Sequence, residues 1–175
     1  MTSSAERAAH LKDLTDLYSD IQAGTLPAVS FVKPSGLVDG HPSQSRWELF
    51  EEFSRKIIEM VQANPAAWAN TAIIVTVDEG GGYWDSGYIQ PLDFFGDGPR
   101  IPFLAVSKAS LNVGIVHTYY DHVSIDKFIE RNWRLGETIS PRTRDNLPNP
   151  TSDALNPYVP KNSPAIGDLF ELFGR

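Results

Sequence analysis

Thr71-Ala72-Ile73-Ile74-Val75-Thr76-Val77 runs directly into Asp78-Glu79-Gly80-Gly81-Gly82, and this junction decides the fold. The first stretch is apolar almost throughout and rich in β-branched side chains, which predicts a strand buried on both faces. Buried strands of that kind belong to parallel sheets covered by helices. Ligands of open parallel sheets gather at the carboxyl ends of the strands, where the two acids and three glycines stand. Downstream, Ile101-Pro102-Phe103-Leu104-Ala105-Val106 reads as a second buried strand with its proline near the start. Val113 to Val116 reads as a short third.

Working outward, helical periodicity alternates with these runs. Ser3 and Glu6 have capping-box spacing, and Ala8, Leu11, Leu14, Tyr18 and Ile21 recur at helical steps up to Gly24, a stop. Ala28-Val29-Ser30-Phe31-Val32 is a β-type run closed by Lys33-Pro34. Ser45 and Glu48 repeat the capping-box spacing, and Trp47, Phe50, Phe53, Ile57, Ile58 and Val61 form a core-facing stripe that ends near Asn64-Pro65. Ile125, Phe128, Ile129 and Trp133 mark another helix, with Asp121 as a candidate cap. Beyond Pro141 the prolines predict an extended tail, residues 141–175, that wraps the domain surface and ends in a short apolar turn, Asp168 to Phe173. The expected architecture is a single α/β domain over residues 1–175, with a mostly parallel sheet flanked by helices.

Asp78 and Glu79 are the sharpest chemical feature. Adjacent carboxylates repel unless a cation or protons lie between them, and hard divalent cations take such oxygen ligands. A solvated acidic turn is the alternative. His117-Thr118-Tyr119-Tyr120-Asp121-His122 places two imidazoles around a helix start, where each could ligate a metal or donate to a phosphoryl oxygen; capping or surface residues are the alternative. In Asp39-Gly40-His41-Pro42 the glycine and proline could hold His41 rigidly, although an incidental histidine in a turn has the same sequence. Arg100, after Gly98-Pro99, could clamp a phosphate or serve a structural ion pair.

Composition excludes several classes. The 175 residues carry a formal net charge of −7, against a nucleic-acid partner, which needs clustered Lys and Arg. There are no cysteines, so disulfides, thiolate metal sites and a cysteine nucleophile are out. No basic stretch followed by an apolar run marks a signal peptide, and no segment reaches the about 18 apolar residues of a membrane span.

Together these residues resemble the bacterial phospholipase C/acid phosphatase family of phosphoesterases. Gly24 to Pro34, Trp68 through Gly81, Gly98 to Pro102, and Asp121-His122-Val123-Ser124 with Phe128-Ile129-Glu130 occur in the order of that family's blocks. The likeness runs from about Leu11 to the end and fits the family's C-terminal half. It implies an alkaline phosphatase-like fold, of which this chain is the C-terminal portion, and hydrolysis of phosphate esters, a phospholipid head group among them. It further implies a divalent metal held by Asp78 and Glu79, and catalytic contacts from His41, His117 and His122. Two departures stand out. Ser86 follows Asp85 where many relatives have His, and the family's nucleophile and second metal-ligand pair lie in an N-terminal half not present here. The resemblance therefore implies a chain carrying part of an active site, from a full-length parent that is periplasmic or secreted. It also implies an exposed sheet edge through which the chain self-associates. A non-catalytic α/β fragment or binding domain that keeps the scaffold is the competing expectation.

Overall fold

The structure is a computed structural model; it describes residues 3–85, 94, 96–110, 114–135, 146–157 and 159–173. The expected positions Val113, Ser86 and 141–145 lie outside the described residues. The chain divides into two compact units, Met1–Gly87 with Pro99–Lys108, and Tyr88–Gly98 with Ala109–Arg175.

In the first unit, Ser3 forms the expected capping box with Glu6: its hydroxyl accepts from the Glu6 amide at 3.2 Å, while the Glu6 carboxylate accepts from the Ser3 amide at 2.6 Å. Helix α1, Ser4–His10, follows. The periodic stretch then splits, and α2 spans Leu14–Ala23. Asp13 causes the split, because its carboxylate accepts from the Thr15 amide at 2.9 Å and the Asp16 amide at 3.3 Å, starting a new helix rather than continuing the old one. Hydrogen bonds from the Thr15 hydroxyl, then from these amides, hold the Asp13 carboxyl below its ordinary range. Gly24 closes α2 at φ +72°, as expected of a left-handed cap.

Helix α3 covers Trp47–Ala63, with Arg46 at its N-cap and no side-chain cap. The capping box expected from Ser45 does not form, because the Ser45 hydroxyl donates instead to the Leu37 carbonyl at 3.0 Å. Helix α4, Pro65–Asn70, begins at once. Asn64 joins three elements. Its side-chain oxygen accepts from the amides of Ala66 and Ala67 at 3.1 and 3.3 Å, and its Nδ2 donates to the Ile21 carbonyl at 2.9 Å. Beside this joint lie Ile21 and Val61, 1% and 2% exposed, the buried apolar side chains among the described residues of this unit. Asn64→Ala is expected to lower stability by about 1–3 kcal/mol, the sum of a lost N-cap and a lost tie to the end of α2. Urea unfolding followed by circular dichroism checks this; an unchanged midpoint would show that water replaces both roles.

The sheet has two strands among the described residues, β1 at Ala72–Thr76 and β2 at Phe103–Ser107. They pair antiparallel, with Ile74 opposite Ala105 and Thr76 opposite Phe103. The expected mostly parallel sheet is thus corrected. Parallel pairing requires a crossover that returns the chain to the starting end of the first strand. Here β2 begins beside the end of β1, and side chains fasten both ends: Thr76 Oγ1 donates to the Pro102 carbonyl and Ser107 Oγ to the Thr71 carbonyl, each at 2.9 Å. Neither strand is buried on both faces; β1 is half-buried after an exposed Ala72, and Leu104 of β2 is exposed. Ala28–Val32 forms no strand: it is an irregular, exposed segment, and Phe31 is 82% exposed. The coarse expectation of mixed helices and strands therefore holds, with a small antiparallel sheet.

The second unit centres on α5, Val123–Trp133. The N-cap is His122 and not the expected Asp121, which sits one residue earlier with its carboxylate accepting from the Val123 amide at 2.8 Å. The buried face of α5 is polar, with Ser124, Lys127 and Glu130, and the tail supplies the apolar partners. Ala165, Ile166 and Leu169 are fully buried. Phe128 packs its ring on Phe170 and Phe173, centroids 5.2 and 5.5 Å apart. Lys127 Nζ donates to the carbonyls of Leu147 and Ile166 at 2.9 and 2.7 Å, Arg131 pairs with Asp168, and the Gly167 amide donates to the Tyr119 carbonyl at 2.9 Å. A Cβ on Gly167 would stand 2.7 Å from Tyr120 Cδ1, so only glycine lets the tail run this close to the ring. Burial, then a hydrogen bond to Glu171, holds the Tyr120 phenol above its ordinary range. Among the described residues no helix is long and apolar enough to cross a membrane.

Candidate functional site

Two turns of the first unit meet beyond the end of β1. One is Asp78 to Gly82, where Gly81 and Gly82 take φ +64° and +75°, a region open to glycine at little cost. The other is Asp39 to Ser43. Gly81 allows them to touch, since a Cβ there would lie 3.1 Å from Pro42 Cδ. Gly40, at φ +81°, lies against Phe50 of α3 in the same way. Asp39 holds its own turn through a bond from the His41 amide at 2.9 Å.

This packing brings His41 to the acidic pair: His41 Nε2 is 3.9 Å from Glu79 Oε1. The other Glu79 oxygen accepts from the Gly81 amide at 2.7 Å. Asp78 faces Lys33 at 3.9 Å, and both side chains are 79% exposed. A cavity of about 220 Å³ opens beside Glu79, walled by Trp47, Tyr83, Trp84 and Arg100. Arg100 stands at its rim, held by Asp85: the Arg100 amide donates to Asp85 at 2.7 Å, and its Nε and Nη2 donate at 2.9 and 2.8 Å. Those hydrogen bonds and the Asp85 charge hold the guanidinium pKa above its usual range. The carboxylate is mostly buried while the guanidinium is 71% exposed, so the pair fixes one edge of the fork and leaves the head in solvent.

The arrangement offers cations (Lys33, Arg100) and an imidazole around two carboxylates. That set can hold an anion with a polar or metal-bearing neighbour, and donate or take a proton. Among the described residues, no three His, Asp or Glu side chains come together in a group able to hold a metal. Asp78 and Glu79 are two adjacent carboxylates, enough to hold a hard cation that keeps waters or phosphate oxygens as its other ligands.

The expected site residues thus fall into two sets. His41, Asp78 and Glu79 come together in the first unit. His117 and His122 belong to the second: His122 immediately precedes α5, and His117 lines a cavity of about 150 Å³ with Tyr119, Ser152, Pro157 and Glu171. Sequence reasoning missed Lys33 as the partner of Asp78, Asp85 as the holder of Arg100, and Ser43, whose hydroxyl lies 2.8 Å from His41 Nδ1. Only Ser43 left a local signal, its two-residue spacing from a histidine across a proline.

A model of the Phosphoesterase family matches residues 2–136. The hemolytic phospholipase C of Pseudomonas aeruginosa is 28% identical over 165 residues, covering 79% of this chain and 22% of that protein. The non-hemolytic phospholipase C of the same organism is 26% identical, over 86% of this chain and 26% of that protein. Phospholipase C A of Mycobacterium tuberculosis is 28% identical, over 90% of this chain and 36% of that protein. This chain spans about a fifth to a third of the length of these relatives.

Proposed function

We propose a function that proceeds from one fact: this chain belongs to the Phosphoesterase family. Its reaction is the hydrolysis of phosphate esters of the phospholipase C type, and this chain carries part of the active site. The observation that supports it best is the meeting of His41, Asp78, Glu79 and Lys33 at the end of β1, with Arg100 on the wall of the adjoining cavity.

In this reading Arg100 and Lys33 offset charge on the phosphoryl oxygens, with Asp85 aiming the guanidinium. His41 contacts the phosphate or protonates the leaving oxygen. Asp78 and Glu79 are ligands of a divalent metal, which would supply Lewis-acid stabilisation when bound. Among the described residues no third His, Asp or Glu joins this pair, and no step is assigned to the metal. For His117 and His122, phosphate contact or proton donation rests on the resemblance alone, as do the alkaline phosphatase-like architecture and the phospholipid head group as substrate. Self-association through the sheet is supported by the two-stranded β1–β2 pair and exposed Leu104.

Calorimetric titration with inorganic phosphate, with and without Mg²⁺, Ca²⁺ or Zn²⁺, tests this reading. Saturable binding is expected, weakened about tenfold in Arg100→Ala by loss of a charged hydrogen-bonding group. Absence of saturable binding under every condition would overturn it.

A further inference from the structure

We propose that Ser43 is the positioning residue for His41, setting which ring nitrogen faces the acidic pair. The Ser43 amide donates to His41 Nδ1 at 3.3 Å, and the Ser43 hydroxyl lies 2.8 Å from the same atom. A backbone N–H can only donate, so Nδ1 presents its lone pair and the neutral ring carries its proton on Nε2. Nε2 is the nitrogen 3.9 Å from Glu79 Oε1. Pro42, between the two residues, restricts the turn through its fixed φ, and the close seat of Pro42 on Gly81 anchors that turn to the Asp78–Gly82 turn. Ser43 therefore holds the ring from one side and leaves the Nε2 N–H on the other, the group to which the proposed function gives phosphate contact. The inference rests on that reading for the ligand, and on the geometry alone for the ring.

Two measurements test it. The first is a double-mutant cycle on phosphate affinity. S43A keeps the amide donor and loses the hydroxyl, so binding should weaken about fivefold, the scale of one hydrogen bond. S43T should restore it, and S43A/H41A should bind no more weakly than H41A, because Ser43 acts through the ring. Affinity unchanged in S43A, no restoration in S43T, or additive losses would each overturn the proposal. The second is nitrogen NMR of the histidine-labelled chain at about pH 8.5, where an ordinary imidazole is neutral. S43A should move the His41 Nδ1 resonance and leave those of His117 and His122 in place. If the unsubstituted chain binds no phosphate, the functional reading fails and this spectrum alone decides the role of Ser43; identical His41 signals in both proteins would then refute it.

Discussion

The chain by itself is expected to hydrolyse p-nitrophenyl phosphate and a phosphocholine ester at below about 0.01 s⁻¹ with any common divalent metal, about a thousandfold under the median enzyme turnover of about 10 s⁻¹. The exposure of its charged groups is the reason. Asp78 and Lys33 are each 79% exposed, the Glu79 side chain 56% and that of Arg100 71%. Two unit charges about 4 Å apart are worth about 1 kcal/mol in bulk water and several times that where water is excluded. Each factor of ten in rate needs about 1.4 kcal/mol, so cations left in water contribute about one factor of ten apiece. Preorganised charge in a dry site is usually the largest contribution to such catalysis, and these side chains are not in one. Steady-state assays with Mg²⁺, Ca²⁺, Mn²⁺ and Zn²⁺ check the rate. Robust turnover that disappears in Asp78→Ala would show that the chain holds a complete centre.

Much of the local structure was legible, because local rules decide it. The Ser3–Glu6 box, the glycine stop at Gly24, the helix end at Asn64-Pro65, the Asp121 bond into α5 and the positions of β1 and β2 depend on residues a few positions apart. Strand direction was not legible. An apolar run such as Thr71–Val77 looks the same in either direction, and the choice lies in where the partner strand begins. Asp13 and Ser45 show the same limit at shorter range: each is a good cap by type, and the carboxylate found the Thr15 and Asp16 amides while the hydroxyl found the Leu37 carbonyl. In the site, Asp78, Glu79 and His41 stood out by residue type, and their meeting follows from Gly81 admitting Pro42. The pairing of Asp85 with Arg100 spans 15 positions and leaves no periodic trace.

Lys127→Met is expected to destabilise the second unit by about 1–3 kcal/mol. Lys127 is 2% exposed, and two opposing effects decide the sign. Burying an ammonium is expensive, so replacing a buried charge by an apolar side chain of similar length can be neutral or stabilising when the former partners find others. Of the Leu147 and Ile166 carbonyls, one can and one cannot. The Leu147 carbonyl belongs to a half-buried residue within reach of water, whereas Ile166 is fully buried, and its carbonyl would lose the donor that bonds it at 2.7 Å. An acceptor stranded in that way costs about 1–3 kcal/mol. The stretch it belongs to holds the buried Ala165, Ile166 and Leu169, so the penalty falls on the contact that joins tail to helix. Hydrogen exchange should therefore accelerate at the Gly167 amide and along α5, and the denaturation midpoint should fall. Lys127→Arg, which keeps buried donors, should recover part of the loss. A Lys127→Met protein as stable as the parent, with Gly167 equally protected, would mean that the Lys127 hydrogen bonds do not hold the tail.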